Sequence, residues 1–518
     1  MNGAEALVRT LLAGGVDTCF ANPGTSEMHM VAALDRIPGM RCVLALAEGV
    51  VTGAADGYAR MADKPACTLL HCGPGLANAL ANLHNAKRAR TPIVNVVGDH
   101  ATYHVQHDAP LGADVEGVAR PFSAWIRTSV AASQVGLDGA AAISAARSAP
   151  GRVATLVLPA DTAWSDAGEG GPAPVPPPVP PRRVPAAEVE AAARTLRSGR
   201  RVGLMVGGPA LRGRALEAAG RIAAATGAKL FAPTSNARMS RGAGRVAVDR
   251  VPYPIDMSLA FLGELEAVVL VGAKQPVGFF AYPGKPGVLT PPGCAAHHLA
   301  RPEDDVVQAL LDLEDALGLS GAPAPAAALS VPDAPPAGPI TPEALGAALA
   351  HHLPEGAVVV DEGLTAGWAC WPATVGARPH DWLQLTGGSI GIGIPLATGA
   401  AVGAPGRRVV NVQADGSAMY TPQGLWTQAR EGLDVTTVIL NNRAYAILEG
   451  EFRNVGALGN GETALSMMSL ADPTISWADL AKGMGVPGVR VTDAAELSAA
   501  LARSLSTPGP MLIDAWIA

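Results

Sequence analysis

The sequence predicts an α/β protein made of three doubly wound parallel-sheet domains. Three observations carry that prediction. Apolar residues make up 49% of the chain but aromatics only 4%, so the hydrophobic content lies in short Val, Ile, Leu and Ala runs, as in parallel strands buried on both faces. These runs alternate with Gly-containing loops and helix-periodic segments, an order that implies right-handed strand–helix–strand crossovers. Two proline-rich stretches, GEGGPAPVPPPVPPRRVP (168–185) and GAPAPAAALSVPDAPPAGPITP (321–342), cannot hold a helix or a central strand. They divide the chain into blocks 1–167, 186–320 and 341–518. At 518 residues the chain exceeds one core and suits about two to four domains.

In the first block VDTCF, CVLALA, ACTLL and PIVNVVG read as strands, and GLANALANLHNAKRA as a periodic helix. The middle block offers VGLMVGG, KLFAP and AVVLVGA. The last offers AVVVDEG, WLQLTGG, RRVVNVQADG, VTTVILNN and PMLIDAWI, with SAMYTPQGLWTQARE predicted as a helix after Gly416.

The formal charge of −7 is spread without an acidic or basic block, which argues against nucleic acid or a charged membrane surface as partner and favours a small molecule. Cys19, Cys42, Cys67, Cys72, Cys294 and Cys370 form no Cys-x-x-Cys pair and read as reduced core residues of a cytoplasmic protein. MNGAEALVRTLLAGG lacks the features of a signal peptide, and no stretch reaches the length of a membrane span. A soluble, cytoplasmic protein is expected.

In open parallel sheets ligands bind outside the carboxyl ends of strands. Asp415 and Asn442 stand at two such ends, 27 residues apart, a spacing that suits one crossover. Their side-chain oxygens, with the Ala444 carbonyl, offer three hard ligands, about half of an octahedral Mg²⁺ shell that phosphates commonly complete. A helix starting at Gly416 and Ser417 would aim free N–H groups at a diphosphate. The plainer reading of Asp415 and Asn441-Asn442 is as turn formers at strand ends.

ADGS followed by LNN resembles the diphosphate-and-magnesium motif of thiamine-diphosphate enzymes, with Ala414 where that family usually has Gly. The resemblance extends over nearly the whole chain and is closest to the group holding acetolactate synthase, benzoylformate decarboxylase and pyruvate decarboxylase. It implies pyrimidine-binding, middle and diphosphate-binding domains in that order, and Mg²⁺ on Asp415, Asn442 and the Ala444 carbonyl.

Glu48, in LALAEGVVTGAADGYAR, follows an apolar strand at the start of a predicted helix, half buried among Ala47, Val50 and Val51. A helix-start acid favoured by the dipole is the alternative. AEG is similar to the family's cofactor-activating glutamate, which implies a hydrogen bond to the aminopyrimidine N1′. NPGT resembles the NPG-Ser loop of benzoylformate decarboxylase, with Thr25 at its substrate-binding serine, and His71 matches a catalytic histidine of that enzyme. The GPG after His71 is instead the acetolactate synthase form. His100, His104 and His107 in GDHATYHVQHD read as solvated or substrate-facing rather than as a metal site. LTGGSIGIGIP fails as a dinucleotide fingerprint, since Pro395 and Leu396 interrupt it. The resemblance implies that Gly388 offers its carbonyl to the 4′-amino group, that Ile390 sits beneath the thiazolium, and that Gly363, Leu364 and Thr365 touch the diphosphate.

The chain departs from each relative. RAYAILEGEFRNVGA lacks the Met and Trp of acetolactate synthases, and KQPVGFFAYPG puts Phe279 or Phe280 where benzoylformate decarboxylase has its second histidine. The adjacent histidines of pyruvate decarboxylase are missing too. A pocket lined by Thr25, His71, Phe279, Phe280 and Leu448 would suit a 2-oxo acid with an aromatic or branched side chain. LMVGGPALRGRALEAAGRIAAATG could hold FAD, but it is closer to the cofactor-free form, so a structural sheet is the preferred reading.

The expectation is a thiamine-diphosphate- and Mg²⁺-dependent, acetolactate synthase-like enzyme that decarboxylates 2-oxo acids, joins them to an acceptor, or both. A benzoylformate decarboxylase-like, non-transferring decarboxylase is the alternative; from another class, an NAD- or FAD-binding regulatory protein. The resemblance further implies a homodimer or homotetramer with sites between chains.

Overall fold

A computed structural model describes residues 1–457 and 461–517. The first sheet contains β1 (Thr18–Asn22), β2 (Arg41–Leu44), β3 (Ala66–Leu70), β4 (Ile93–Asp99), β5 (Trp125–Thr128) and β6 (Val153–Pro159). All are parallel, in the order β2-β1-β3-β4-β6-β5. The middle segment supplies β7 (Val202–Val206), β8 (Lys229–Ala232), β9 (Met239–Arg241), β10 (Asp249–Arg250), β11 (Ala267–Val271) and β12 (Ala295–Ala300). Five of these form a parallel sheet ordered β10-β8-β7-β11-β12. The last segment adds β13 (Ala357–Glu362), β14 (His380–Gln384), β15 (Val409–Ala414), β16 (Val435–Asn441), β17 (Gly488–Val491) and β18 (Met511–Trp516). Their order is β17-β18-β16-β15-β13-β14-β9. The predicted parallel α/β class is what the chain adopts.

Two local expectations need correction. Block 186–320 is not self-contained, because β9 leaves it and pairs antiparallel with β14. Side chains drive that crossing: Arg241 lies over the Trp371 ring at 3.3 Å, and Arg238 grips Asp381 through two bonds of 3.1 Å. The helix predicted after Gly416 is broken into Asp415–Ala418 and Gly424–Arg430. Pro422, which cannot donate a helical N–H, stands in the gap.

The first and third sheets are joined by the helix Glu48–Ala62 lying on the helix Gly393–Gly403, with Val50, Val51, Leu396 and Ala400 in one buried cluster. A Cβ on Gly57 would collide with the Leu396 carbonyl, so the two backbones touch. Beneath them Arg60 pairs with Asp56, both buried, and reaches the Gln384 carbonyl at 2.8 Å. A buried ion pair is tolerable only when its remaining donors are satisfied in this way.

Among the described residues no helix is long and apolar enough to cross a membrane. All six cysteines are free, but only Cys19, Cys67, Cys72 and Cys370 are buried; Cys294 is partly covered and Cys42 exposed.

Candidate active site

Parallel pairing of β1 with β3 sets the loops NPGTSE and HCGPG side by side at their carboxyl ends. Gly24 lies flat on the His71 imidazole, where a Cβ would overlap the ring. The single turn Thr25–Glu27 then folds Glu27 inward to 2% exposure and leaves Thr25 exposed beside it. The Glu27 carboxyl accepts from the Gly24 N–H at 2.7 Å and from the Ser26 hydroxyl, and pairs with His71 Nδ1 at 2.9 Å. Gly98 on β4 makes room for it, since a Cβ there would collide with the carboxyl. A buried carboxylate at Nδ1 sets the ring orientation and leaves Nε2 for chemistry. Cys72 follows in the left-handed region (φ 52°), with Sγ 3.2 Å from Ser26 Oγ and 3.7 Å from His71 Nδ1. Burial pushes its thiol up to about 11.

Glu48 opens the helix Glu48–Ala62, half buried, and its Oε2 accepts from Asn78 Nδ2 at 3.1 Å. Gly75 separates it from the histidine: a Cβ there would stand 3.1 Å from Glu48 Oε1 and 3.4 Å from His71 Cβ. The structure therefore brings Glu48, His71 and Thr25 to one rim. Glu27 and Asn78 were missed from the sequence, although Glu27 lies inside the motif that drew attention to Thr25. The available signal was Gly98, a glycine at the end of an apolar strand.

The second group stands at the ends of β15 and β16, which pair in parallel. Asp415 is 3% exposed; its oxygens accept from the Gly416 and Arg443 N–H groups, each at 2.8 Å, and burial raises its pKa. Asn442 Oδ1 accepts from the Ala444 N–H at 3.1 Å, while Asn441 turns the other way and donates to Asp514 at 2.8 Å. Of the two amides, Asn442 is thus the one at the rim. Ser417 Oγ is buried without a hydrogen-bond partner among the described residues. An orphaned hydroxyl beside a buried carboxylate and a helix start fits an oxyanion held next to a cation. The one-turn helix leaves its first N–H groups without intrahelical partners, as the long helix expected would, but carries a smaller dipole.

The segment carrying Gly388 and Ile390 is held from below by Glu362 at the end of β13. That buried carboxyl accepts from the Gly391 N–H at 2.8 Å, the Gly393 N–H at 2.7 Å and Gln413 Nε2 at 2.8 Å. Burial raises its pKa against these bonds. Glu362 was not singled out from the sequence, although Gly363, Leu364 (φ 46°) and exposed Thr365 follow it directly. Gly388 (φ 76°) is exposed, and Phe279 packs where its Cβ would be. Phe280 stacks edge-on to Phe279 at 5.0 Å, both largely exposed, as is Leu448.

The two groups meet only in part within one chain. Thr421, near Gly49, donates to the Gly391 carbonyl at 2.7 Å. The 387–389 turn, however, is held by His84 and Asn85, a dozen residues or about 18 Å along the helix that begins beside His71. His100, His104 and His107 form a ring-to-ring series at 5.8 and 5.4 Å, the latter two exposed. The Gly207-Gly208 turn considered for FAD is closed by a Gly207 N–H bond to the Val271 carbonyl at 2.9 Å.

Two parallel sheets that bring polar side chains to their carboxyl ends, Glu48 and His71 on the first and Asp415 and Asn442 on the third, are the arrangement of a cofactor enzyme of the α/β class. The chain belongs to the thiamine pyrophosphate enzymes: residues 1–117 match their N-terminal TPP binding domain and residues 361–515 their C-terminal TPP binding domain. It is 52% identical, over 99% of its length and 98% of the relative's, to a Mycobacterium tuberculosis protein provisionally named acetolactate synthase large subunit IlvX. It is 27% identical to a benzoylformate decarboxylase of Pseudomonas aeruginosa, over 96% of each chain. The solved thiamine diphosphate-dependent 4-hydroxybenzoylformate decarboxylase of Rhodococcus jostii RHA1 shares the fold, with a TM-score of 0.84 at 24% identity over 100% of this chain and 99% of that one. The chain is accordingly a thiamine-diphosphate-dependent enzyme, and the reading as an NAD- or FAD-binding regulatory protein is set aside.

Proposed function

We propose that the enzyme uses thiamine diphosphate and Mg²⁺ to cleave or form the bond next to the carbonyl of a 2-oxo acid carrying an apolar side chain. The observation that carries this reading is the rim where Glu48 and His71 flank Gly75, with His71 fixed at Nδ1 by buried Glu27. When bound, thiamine diphosphate supplies a nucleophilic carbon for the substrate carbonyl and an electron sink for the bond that breaks.

The chain's own residues do the rest. Asp415, Asn442 and the Ala444 carbonyl hold the metal; Gly416 and Ser417 hold the diphosphate, with Gly363, Leu364 and Thr365 beside them. The Gly388 carbonyl and the Ile390 side chain position the rings, on a segment anchored by Glu362. Glu48 holds and returns a proton at the aminopyrimidine N1′. His71 Nε2 moves a proton on the substrate oxygen or carboxylate, and Thr25 binds substrate beside it. Phe279, Phe280 and Leu448 exclude water from an apolar side chain.

Each complete site is formed by two chains, the pyrimidine-binding rim of one facing the diphosphate-binding edge of the other, so the enzyme is a homodimer or homotetramer. Supporting this, Leu46 next to Glu48 and Met419 and Tyr420 next to Ser417 leave large apolar surfaces exposed in the single chain. Such surfaces commonly mark interfaces. An active monomer in light scattering at assay concentration would refute the shared site. Free thiols and a small-molecule substrate accord with a cytoplasmic enzyme. The functional test is a panel of 2-oxo acids with Mg²⁺ and thiamine diphosphate, following CO₂ and hydroxyketone together. Turnover of aromatic or branched substrates is expected; no CO₂ from any member would overturn the reading.

A further inference from the structure

We propose that Glu27, His71 and Cys72 form a binding site for a thiophilic divalent cation of the Zn²⁺ class, chemically distinct from the all-oxygen set at Asp415. Among the described residues this is the one group of three such side chains whose donor atoms all lie within 4.8 Å of one another. Glu27 Oε2 and His71 Nδ1 are 2.9 Å apart, and Cys72 Sγ is 3.7 Å from the same nitrogen. Zn²⁺ with bonds of about 2.0–2.1 Å to nitrogen and oxygen and about 2.3 Å to sulfur needs tetrahedral ligands about 3.3–3.5 Å apart. The observed separations for these two pairs bracket that range, so shifts of about half an ångström bring them to it, and the Glu27 carboxyl and Cys72 Sγ lie within 4.8 Å of each other.

The placement is built into the backbone. Glu27 is buried against Gly98, and Cys72 takes a left-handed conformation that few non-glycine residues adopt. That turn sets its sulfur against Ser26 and His71. A carboxylate, imidazole and thiolate set selects Zn²⁺ or Co²⁺ over Mg²⁺, and three protein ligands leave a fourth position open. Binding releases the thiol proton to solvent. A cation on Nδ1 also leaves the His71 proton on Nε2, so the ring can no longer accept one there. Occupancy therefore inhibits turnover, a consequence that rests on the proposed role of His71.

The test uses full-length enzyme loaded with thiamine diphosphate and Mg²⁺, with Co²⁺ as the spectroscopic probe. One Co²⁺ per chain should bind with a sulfur-to-cobalt charge-transfer band and intense tetrahedral ligand-field bands, all displaced by Zn²⁺. Cys72→Ser should abolish the charge-transfer band, and Glu27→Gln should weaken Co²⁺ binding at least about tenfold, while His104→Asn/His107→Asn should leave the spectrum unchanged. Circular dichroism confirms that each variant is folded. Co²⁺ bound without a thiolate band, or a band that survives Cys72→Ser, overturns the site. Turnover unaffected by stoichiometric Zn²⁺ overturns the inhibition. If no 2-oxo acid is turned over at all, the proposed function fails while the cobalt spectrum still decides the site.

Discussion

Replacing Glu48 by Gln separates holding the cofactor from activating it. The local structure should tolerate the change. Glutamine has the same length, its amide oxygen can accept the 3.1 Å bond from Asn78, and the space beside Gly75 is unaltered. Exchanging one oxygen acceptor for another of the same reach on a half-buried side chain costs about 0.5–1 kcal/mol. The exchangeable proton, by contrast, is lost entirely. Removing a positioned acid–base group lowers the step it serves by about 10²–10⁴-fold, equivalent to about 3–5 kcal/mol of barrier. Diphosphate and metal binding, centred on Asp415 and Ser417, should stay near wild type. The assay is quenched-flow hydrogen–deuterium exchange at C2 of bound thiamine diphosphate, read by NMR, with cofactor affinity measured by calorimetry. Exchange slowed at least about 10²-fold with unchanged affinity is expected, and turnover should fall in step. Equal exchange rates in wild type and variant would remove Glu48 from the mechanism.

Three further outcomes are expected. Asp415→Ala should abolish Mg²⁺-dependent cofactor retention, with Asp415→Asn as the companion that keeps an acceptor for one of the two backbone N–H groups; calorimetry showing the same thiamine-diphosphate affinity with and without EDTA as wild type would exclude a metal role. His71→Ala should lower turnover by about 10²-fold or more with cofactor affinity little changed, whereas an unaltered rate would make His71 purely structural. Asp381 is drawn upward by burial but held low overall by Arg238 and Arg407. Its contribution to stability is therefore complete above the ordinary carboxylate value of about 3.9 and is lost as pH falls through its depressed value. Asp381→Asn should remove that acid dependence and, by leaving Arg407 without its anion and Arg238 with only the exposed Asp63, cost about 2–4 kcal/mol in denaturant unfolding at neutral pH.

Strand after strand was legible along the chain because the signal is local: a parallel strand buried on both faces is a short Val- and Ile-rich run, and its carboxyl end is marked by the residues that stop it. Asp415 and Asn442 could be paired for that reason, and so could Glu48 with its helix. Even the break at Pro422 was readable, since a proline cannot continue a helix. Glu27 belongs to a different kind of information. Whether it points to water or into the interior depends on Gly98 two strands away in the sheet order and on His71. The same holds for Glu362, whose partners Gly391, Gly393 and Gln413 are distant in sequence, and for β9, drawn out of the middle segment by Asp381 and Trp371. By itself the sequence determined the alternation of strand and helix, the polar residues that stand at several strand ends and the family resemblance. Only the tertiary structure decided which carboxylates are buried and which partners they face, because burial and pairing of a charge depend on atoms brought together from separate strands.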